Sequence, residues 1–248
     1  MYNKMSRIYD ELMTEEVDYI NWTHYIQKIF ARYNVEVKDV MDLGCGTGNI
    51  TIPLSDMGYK MVGVDLSEDM LAIADSKAFL KNNNIKWIYG DMVDSQAYDM
   101  SYDAIISCCD AVNYILEEDE LMKMFRNVYK GLKENGIFTF DINSYYKINQ
   151  VYKDQVFTYT SDKINYIWEN NYDEDTDIIE YYLNFFVKND KDNDYTRSEE
   201  IHYQKAYKNE NIIDMLLKVG FTSVELFKFD SFQMPDLEAE RIQFCAIR

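Results

Sequence analysis

Asp42-Leu43-Gly44-Cys45-Gly46-Thr47-Gly48 is the stretch on which the reading of this chain turns. It continues the apolar run Val40-Met41, and Asn49 to Met57 reads as a helix, so the glycines fall at a strand-to-helix turn. Glycine there lets the backbone fold tightly and approach a ligand closely. Outward from this turn, short apolar strands alternate with helical stretches. Lys60–Asp65 reads as strand two. Ser67 then caps a helix that runs to about Leu80 with acidic residues in its first turn. Ile85–Tyr89 and Asp103–Ser107 read as strands three and four, Asp119–Leu132 as a helix, and Ile137–Ile142 as strand five. Strands separated by helices predict an α/β fold with a doubly wound, mostly parallel sheet. Upstream, residues 1–36 read as helical, with Trp22, Ile26, Ile29 and Phe30 at helical spacing.

After Asn143 the pattern changes. Residues 144–207 hold no good helix. They contain three aromatic, β-rich runs, Ile164–Tyr172, Ile178–Lys188 and Thr196–Tyr207. In the middle run Ile179, Tyr181, Leu183, Phe185 and Val187 form an apolar face at period two. An inserted antiparallel β meander is predicted. The α/β pattern resumes with a helix from Asn209 to Val219, closed by Gly220, and the strands Ser223–Phe229 and Arg241–Ile247, which bring the main sheet to seven. The acidic turns Asp173–Asp177 and Asn189–Asp194 each contain Asp-x-Asp-x-Asp. A calcium loop needs Gly at its sixth position and Glu at its twelfth. Ile178 and Asn184, or Tyr195 and Ile201, stand there instead, so both read as solvated hairpin turns and no metal is expected.

The chain has 248 residues, 44 of them acidic and 25 Lys or Arg, for a net charge of −19. That field repels phosphate backbones and anionic membrane surfaces, and Lys and Arg form no basic patch, so neither nucleic acid nor a membrane is expected as a partner. Cys45, Cys108, Cys109 and Cys245 form no C-x-x-C pair and suggest neither a disulfide framework nor structural zinc. No secretory signal or membrane span is read, and the expected compartment is the reducing cytoplasm.

Asp42, Asp65, Asp91 and Asp110 each fall near the carboxyl end of a predicted strand, the edge at which open α/β sheets bind ligands. A nicotinamide enzyme is one alternative, with Asp65 as its ribose acid. The loop is G-x-G-x-G, however, with Asn49 where the G-x-G-x-x-G fingerprint ends. Four carboxylates around one crevice would repel a dinucleotide's phosphates. S-adenosylmethionine (SAM) has no phosphate and brings a cationic sulfonium and an ammonium, so the electrostatics favour it.

Asp42 to Gly48 resembles motif I of class I SAM-dependent methyltransferases. Val64-Asp65-Leu66-Ser67 is similar to their second motif, whose acid binds the ribose; Gly90-Asp91-Met92 to their adenine-binding motif; and Tyr102–Ser107 to their fourth-strand motif. The resemblance implies a Rossmann-like fold, with a SAM-binding core in 37–143 and, more loosely, 208–248, and an N-terminal helical segment (1–36) lying over the cofactor. Residues 144–207 leave strand five at its carboxyl end, the edge where the cofactor should lie, and are expected to form a lid or substrate subdomain. It implies SAM as cofactor, S-adenosylhomocysteine as product, and Gly44, Cys45, Gly46, Gly48, Leu66, Met92 and Cys108 around them with the acids. A narrower resemblance is to small bacterial methyltransferases with a β insertion after strand five, including sugar N-methyltransferases. Tyr9-Asp10, Tyr19-x-x-Trp22, Cys109-Asp110-x-x-Asn113-Tyr114 and His202-x-Gln204-x-x-Tyr207 carry it.

Methyl transfer is an in-line displacement, so positioning carries most of the catalysis. Tyr9 and Tyr19 are the candidate aromatic faces for the sulfonium. Asp110, Asn113, Tyr114 and Gln204 are the candidate acceptor contacts. His202 shares a strand face with Glu200 and Gln204 and is the candidate general base. The expected function is methyl transfer to nitrogen or oxygen of a small molecule, with a homodimer through the insertion as an expected assembly. A nicotinamide-dependent oxidoreductase and a non-catalytic SAM-binding protein are the alternatives.

Overall fold

In the computed structural model, residues 10, 12–14, 16–33, 36–94, 98, 101–189 and 194–248 are described. Strand β1 (Asp39–Leu43) lies at the centre of the main sheet. It pairs in parallel with β2 (Lys60–Asp65) on one side and β4 (Tyr102–Ser107) on the other. The sheet continues past β2 to β3 (Lys86–Tyr89), and past β4 to β5 (Leu132–Asn143). Two antiparallel strands close that side, β11 (Arg241–Ile247) against β5 and β10 (Ser223–Lys228) at the edge. The order β10-β11-β5-β4-β1-β2-β3 reverses direction at β1, which opens a crevice at the carboxyl ends of β1 and β4.

Side-chain alternation along the central strands explains the two layers of helix. Met41 and Ile105 face a core shared with Leu121, Met124 and Phe125 of α4 (Glu118–Gly131) and Ile212 and Leu216 of α5 (Asn209–Val219). Val40, Ala104 and Ile106 face the opposite core, built with Trp22, Ile26, Ile29 and Phe30 of α1 (Tyr19–Arg32) and Leu54 of α2 (Thr51–Asp56). Helix α3 (Glu68–Leu80) begins where Ser67 Oγ accepts from the Met70 amide at 3.3 Å, with Glu68 and Asp69 in its first turn. Gly220, at φ +122°, ends α5.

The insertion is a separate antiparallel sheet of β6 (Val156–Thr160), β7 (Ile164–Asp173), β8 (Ile178–Lys188) and β9 (Tyr195–Lys205), in that order. Strand β6 is a correction to the three-run reading. It is an edge strand with alternating exposure, and its polar half hides it from a search for apolar runs. Lys147–Tyr152 forms a π-helical turn where no helix was expected. Boundaries also shift: the first helix after the glycine loop is confined to Thr51–Asp56, and β5 begins at Leu132, ahead of a register irregularity in its pairing with β4. The apolar face of β8 is buried as its alternation requires, with Ile179, Tyr181 and Phe185 in the insertion's own cores.

Candidate active site

A cavity of about 340 Å³ opens at the crevice, and Asp42, Asp65, Asp91 and Asp110 all line it. Gly44, Gly46 and Gly48 sit at φ +70°, +53° and +79°, which side chains rarely adopt. The loop is held at both ends: the Gly44 and Cys45 amides donate to Val64 O at 2.8 and 3.0 Å, and the Gly46 amide donates to Asp65 Oδ2 at 2.7 Å. A Cβ at Gly46 would meet nothing within 4 Å, so the backbone here faces open space. Asp65 Oδ1 accepts from the Ser67 amide at 2.9 Å. The acid at the end of β2 therefore joins the glycine turn to the start of α3.

Asp42 is 1% exposed. Its Oδ2 accepts from Thr51 Oγ1 at 2.6 Å, and its Oδ1 has no partner. Burial, with Asp65 adding to it, pushes the Asp42 carboxyl up to about 7. Burial also pushes Asp65 above the usual carboxylate range, against the pull of its amide donors. A buried acceptor without a donor, two acids short of positive charge and a glycine cradle without side chains form a socket for a compact cation-bearing ligand. That suits the ammonium and sulfonium of SAM and disfavours a pyrophosphate. Asp65 and Leu66 would hold the ribose, Asp91 and Met92 the adenine, and Asp42 with the glycine loop the amino-acid end; all of them line the one cavity. Asp91 Oδ1 accepts from the Val93 amide at 2.8 Å, which fixes its carboxylate.

Tyr19, Cys45 and Cys108 also line the cavity, and burial raises the pKa of all three side chains. The thiols are therefore wall rather than nucleophiles. Tyr9 lies outside the described residues. Its neighbour Asp10 accepts from Thr47 Oγ1 at 2.5 Å and Asn49 Nδ2 at 2.9 Å and pairs with Lys77 of α3 at 3.0 Å. Asp10 is thus tied to the glycine loop and to α3.

The residues read as acceptor contacts divide. Asp110 and Tyr114 line the cavity. Asn113 and Gln204 do not; both are buried and their amides are committed within the protein. Asn113 Nδ2 donates to Asn143 O and Lys205 O at 3.2 and 2.9 Å, and its Oδ1 accepts from the Asn143 amide at 3.0 Å. It braces the insertion against β5, which corrects its reading as an acceptor contact. Gln204 stands behind Asp110, donating to its Oδ2 at 2.7 Å. His202 Nε2 lies 3.0 Å from Glu200 Oε2, and its ring meets Tyr114 edge-on with centroids 6.0 Å apart. His202 reaches the cavity wall through Tyr114.

Arg241 and Asp141 were missed in the sequence. Asp141 lies within β5, fully buried, and accepts from the Cys109 and Asp110 amides at 2.9 and 3.0 Å. Cys109 and Asp110 are consecutive left-handed residues, at φ 59° and 52°. Their two amides form a small nest that the Asp141 carboxylate fills. Arg241 pairs with both Asp141 and Asp110 and packs over the Trp22 ring at 5.3 Å. A charged residue inside an apolar strand, Asp141 between Phe140 and Ile142, was the signal available. Among the described residues no helix is long and apolar enough to cross a membrane.

Residues 40–136 match the family model of the methyltransferase domain. The chain is 35% identical to a protein of Geobacillus sp. (strain WCH70) that carries a provisional methyltransferase name, over 99% of this chain and 98% of that one. It superposes on the crystal structure of an S-adenosylmethionine-dependent methyltransferase from Clostridium acetobutylicum ATCC 824 with a TM-score of 0.90 at 35% identity, covering 99% and 98% of the two chains. The sugar N-methyltransferase KedS8 from Streptoalloteichus sp. ATCC 53650 shares the fold at a TM-score of 0.77 and 16% identity, covering 97% of this chain and 92% of that one. With the glycine cradle, the three cofactor-side acids and full-length similarity in agreement, the chain belongs to the class I SAM-dependent methyltransferases.

Proposed function

We propose that this enzyme methylates a small molecule at nitrogen or oxygen, in the cytoplasm. The acceptor binds between the cofactor cavity and the inserted sheet. The observation that carries this reading is that Asp110 and Tyr114, which follow β4 on the far side of β1 from β2 and β3, line the cavity, with the His202 ring edge-on to Tyr114. Bound SAM supplies a methyl group already activated by its positive sulfur. The chain's own residues then hold the acceptor in line and exclude water. His202, fixed by Glu200, takes up the proton an acceptor releases. The insertion chooses the acceptor, because β9 sets His202 against Tyr114 and Gln204 behind Asp110. The net charge of −19 argues against a nucleic acid acceptor. Ile167, Ile201 and Tyr203 on the insertion's strands are exposed and supply the surface for a homodimer.

The test is S-adenosylhomocysteine release from SAM with a panel of small amines and phenols, run beside RNA and a mixture of unfolded proteins. Turnover with a panel member supports the reading. Turnover only with a macromolecule overturns it.

A further inference from the structure

Asp110 stands where distant parts of the chain converge. Its Oδ1 accepts from Arg241 Nη2 of β11 at 2.8 Å, and its Oδ2 from Gln204 Nε2 of β9 at 2.7 Å. Gln204 is 1% exposed. Its Oε1 accepts from Asn143 Nδ2 and the Tyr181 hydroxyl, both at 3.1 Å, so the amide cannot turn over without losing all three bonds. The backbone at Asp110 is left-handed, a conformation that costs about 1 kcal/mol or more and persists only where surrounding contacts impose it. Here they do, through the nest on Asp141.

Asp110 and Asp141 set two carboxyls against one guanidinium. Burial raises the Asp141 carboxyl above its ordinary range, against the pull of Arg241 and the Asp110 amide. Only Asp110 of the two borders the cavity. Lys147, on the π-helical turn, also feels the cluster, but it pairs with Glu240 at 3.9 Å, and burial lowers its pKa. Asp110 is therefore the carboxylate that this cluster presents to the cavity, on the β4 side of β1, whereas Asp65 and Asp91 follow β2 and β3.

Taking this cavity as the joint cofactor and acceptor site, we infer that Asp110 is a catalytic carboxylate that stabilises the positive charge an acceptor gains on methylation, and that Arg241 and Gln204 are the positioning residues that aim it. The lone pair of the acceptor forms the new bond to the methyl carbon. The carbon–sulfur pair returns to sulfur, and the positive charge passes from sulfur to the acceptor atom. Any hydrogen on that atom leaves afterwards as a proton to His202. A fixed negative charge lowers the energy of this transition state without reorganising. An anionic oxygen acceptor would be repelled on approach and would end neutral, gaining nothing from Asp110. The acceptor that fits is a neutral nitrogen base, cationic once methylated.

The test needs no knowledge of the acceptor. Sinefungin carries an amine in place of the sulfonium methyl, whereas S-adenosylhomocysteine carries neither charge nor methyl there. Calorimetry should show wild-type protein binding sinefungin about tenfold more tightly than S-adenosylhomocysteine, the low end for one charge-assisted hydrogen bond. Asp110→Asn should bring that ratio close to one and change S-adenosylhomocysteine affinity by less than about threefold. Gln204→Met should lower the ratio too, whereas a merely structural role would weaken both ligands together and leave the ratio intact. If Asp110→Asn fails to fold, the wild-type ratio and Gln204→Met decide. A wild-type ratio of one or less, or a ratio unchanged in the variants, overturns the inference while leaving the proposal of a small-molecule acceptor standing. Failure of the wild type to bind either ligand would overturn both.

Discussion

The Gly46 amide donates to Asp65 Oδ2 at 2.7 Å, so the acid that ends β2 is also the brace of the glycine turn that follows β1. Its other oxygen is held by the Ser67 amide. Both carboxylate oxygens thus face backbone donors, and an amide side chain would set its NH2 against one of them. Asp65→Asn should therefore be no milder than Asp65→Ala. Each should weaken SAM by about 1–3 kcal/mol, the scale of a lost charge-assisted hydrogen bond. Calorimetry on the two folded variants checks this; an Asn variant with wild-type affinity would show that the brace is dispensable.

Gly46 and Gly44 separate ligand binding from stability. A Cβ at Gly46 meets no protein atom, whereas one at Gly44 would lie 2.8 Å from Ala111 Cβ and 3.2 Å from Met92 Cε. Gly46→Ala should cost only the strain of its positive φ, roughly 1–2 kcal/mol, yet occupy the cradle and abolish measurable SAM binding. Gly44→Ala should lower the melting temperature further by forcing Ala111 aside. Thermal melts and SAM titrations of both variants give the comparison, and an equal stability loss at the two positions would contradict it.

Asp42 gives the site a pH dependence of known sign. Its carboxyl is raised to about 7 in the ligand-free protein, so the folded state binds a proton that the unfolded chain has lost. Its contribution to stability is present below the unfolded pKa and is lost as pH rises through about 7. A bound cation favours the ionised form, so SAM binding should expel a proton below that pH. Affinity should rise by up to about tenfold per pH unit towards pH 7 and level off above it. Asp42→Asn should flatten this profile. Calorimetry at pH 6 in buffers of different ionisation enthalpy measures the released proton directly; no release there would sink the assignment.

Much of this site was legible because its parts are local in sequence. Asp42, the glycine turn and Asp65 lie within two strand–helix units, and the doubly wound order then fixes where they meet. The acceptor side was legible only as a list of residues. Asn113 and Gln204 were visible as polar side chains in a suggestive pattern, but whether an amide meets a ligand or a backbone carbonyl depends on pairing between β9, β5 and the turn after β4. Arg241 illustrates the limit. It lies opposite Asn143 in the antiparallel register of β11 on β5, which puts it beside Asp141, 100 residues away in sequence. No local spacing encodes that contact. Strand β6 escaped for the converse reason: an edge strand has too little buried surface to show a clear apolar period.

His202 is the residue on which binding and turnover should part. It sits on β9, outside the cavity lining, and touches the site through Tyr114. Glu200 Oε2, 3.0 Å from its Nε2, fixes the ring. His202→Ala should leave SAM affinity within about twofold of wild type, since it lies outside the cavity lining, and should lower turnover by roughly 100-fold with an acceptor that releases a proton. Glu200→Gln keeps a partner for the ring but removes the carboxylate, so its turnover should fall between wild type and His202→Ala. An acceptor without a hydrogen to lose, such as a tertiary amine, should be methylated by wild type and His202→Ala at similar rates. Equal losses with tertiary and secondary amines would place His202 in the shape of the pocket and take it out of proton transfer.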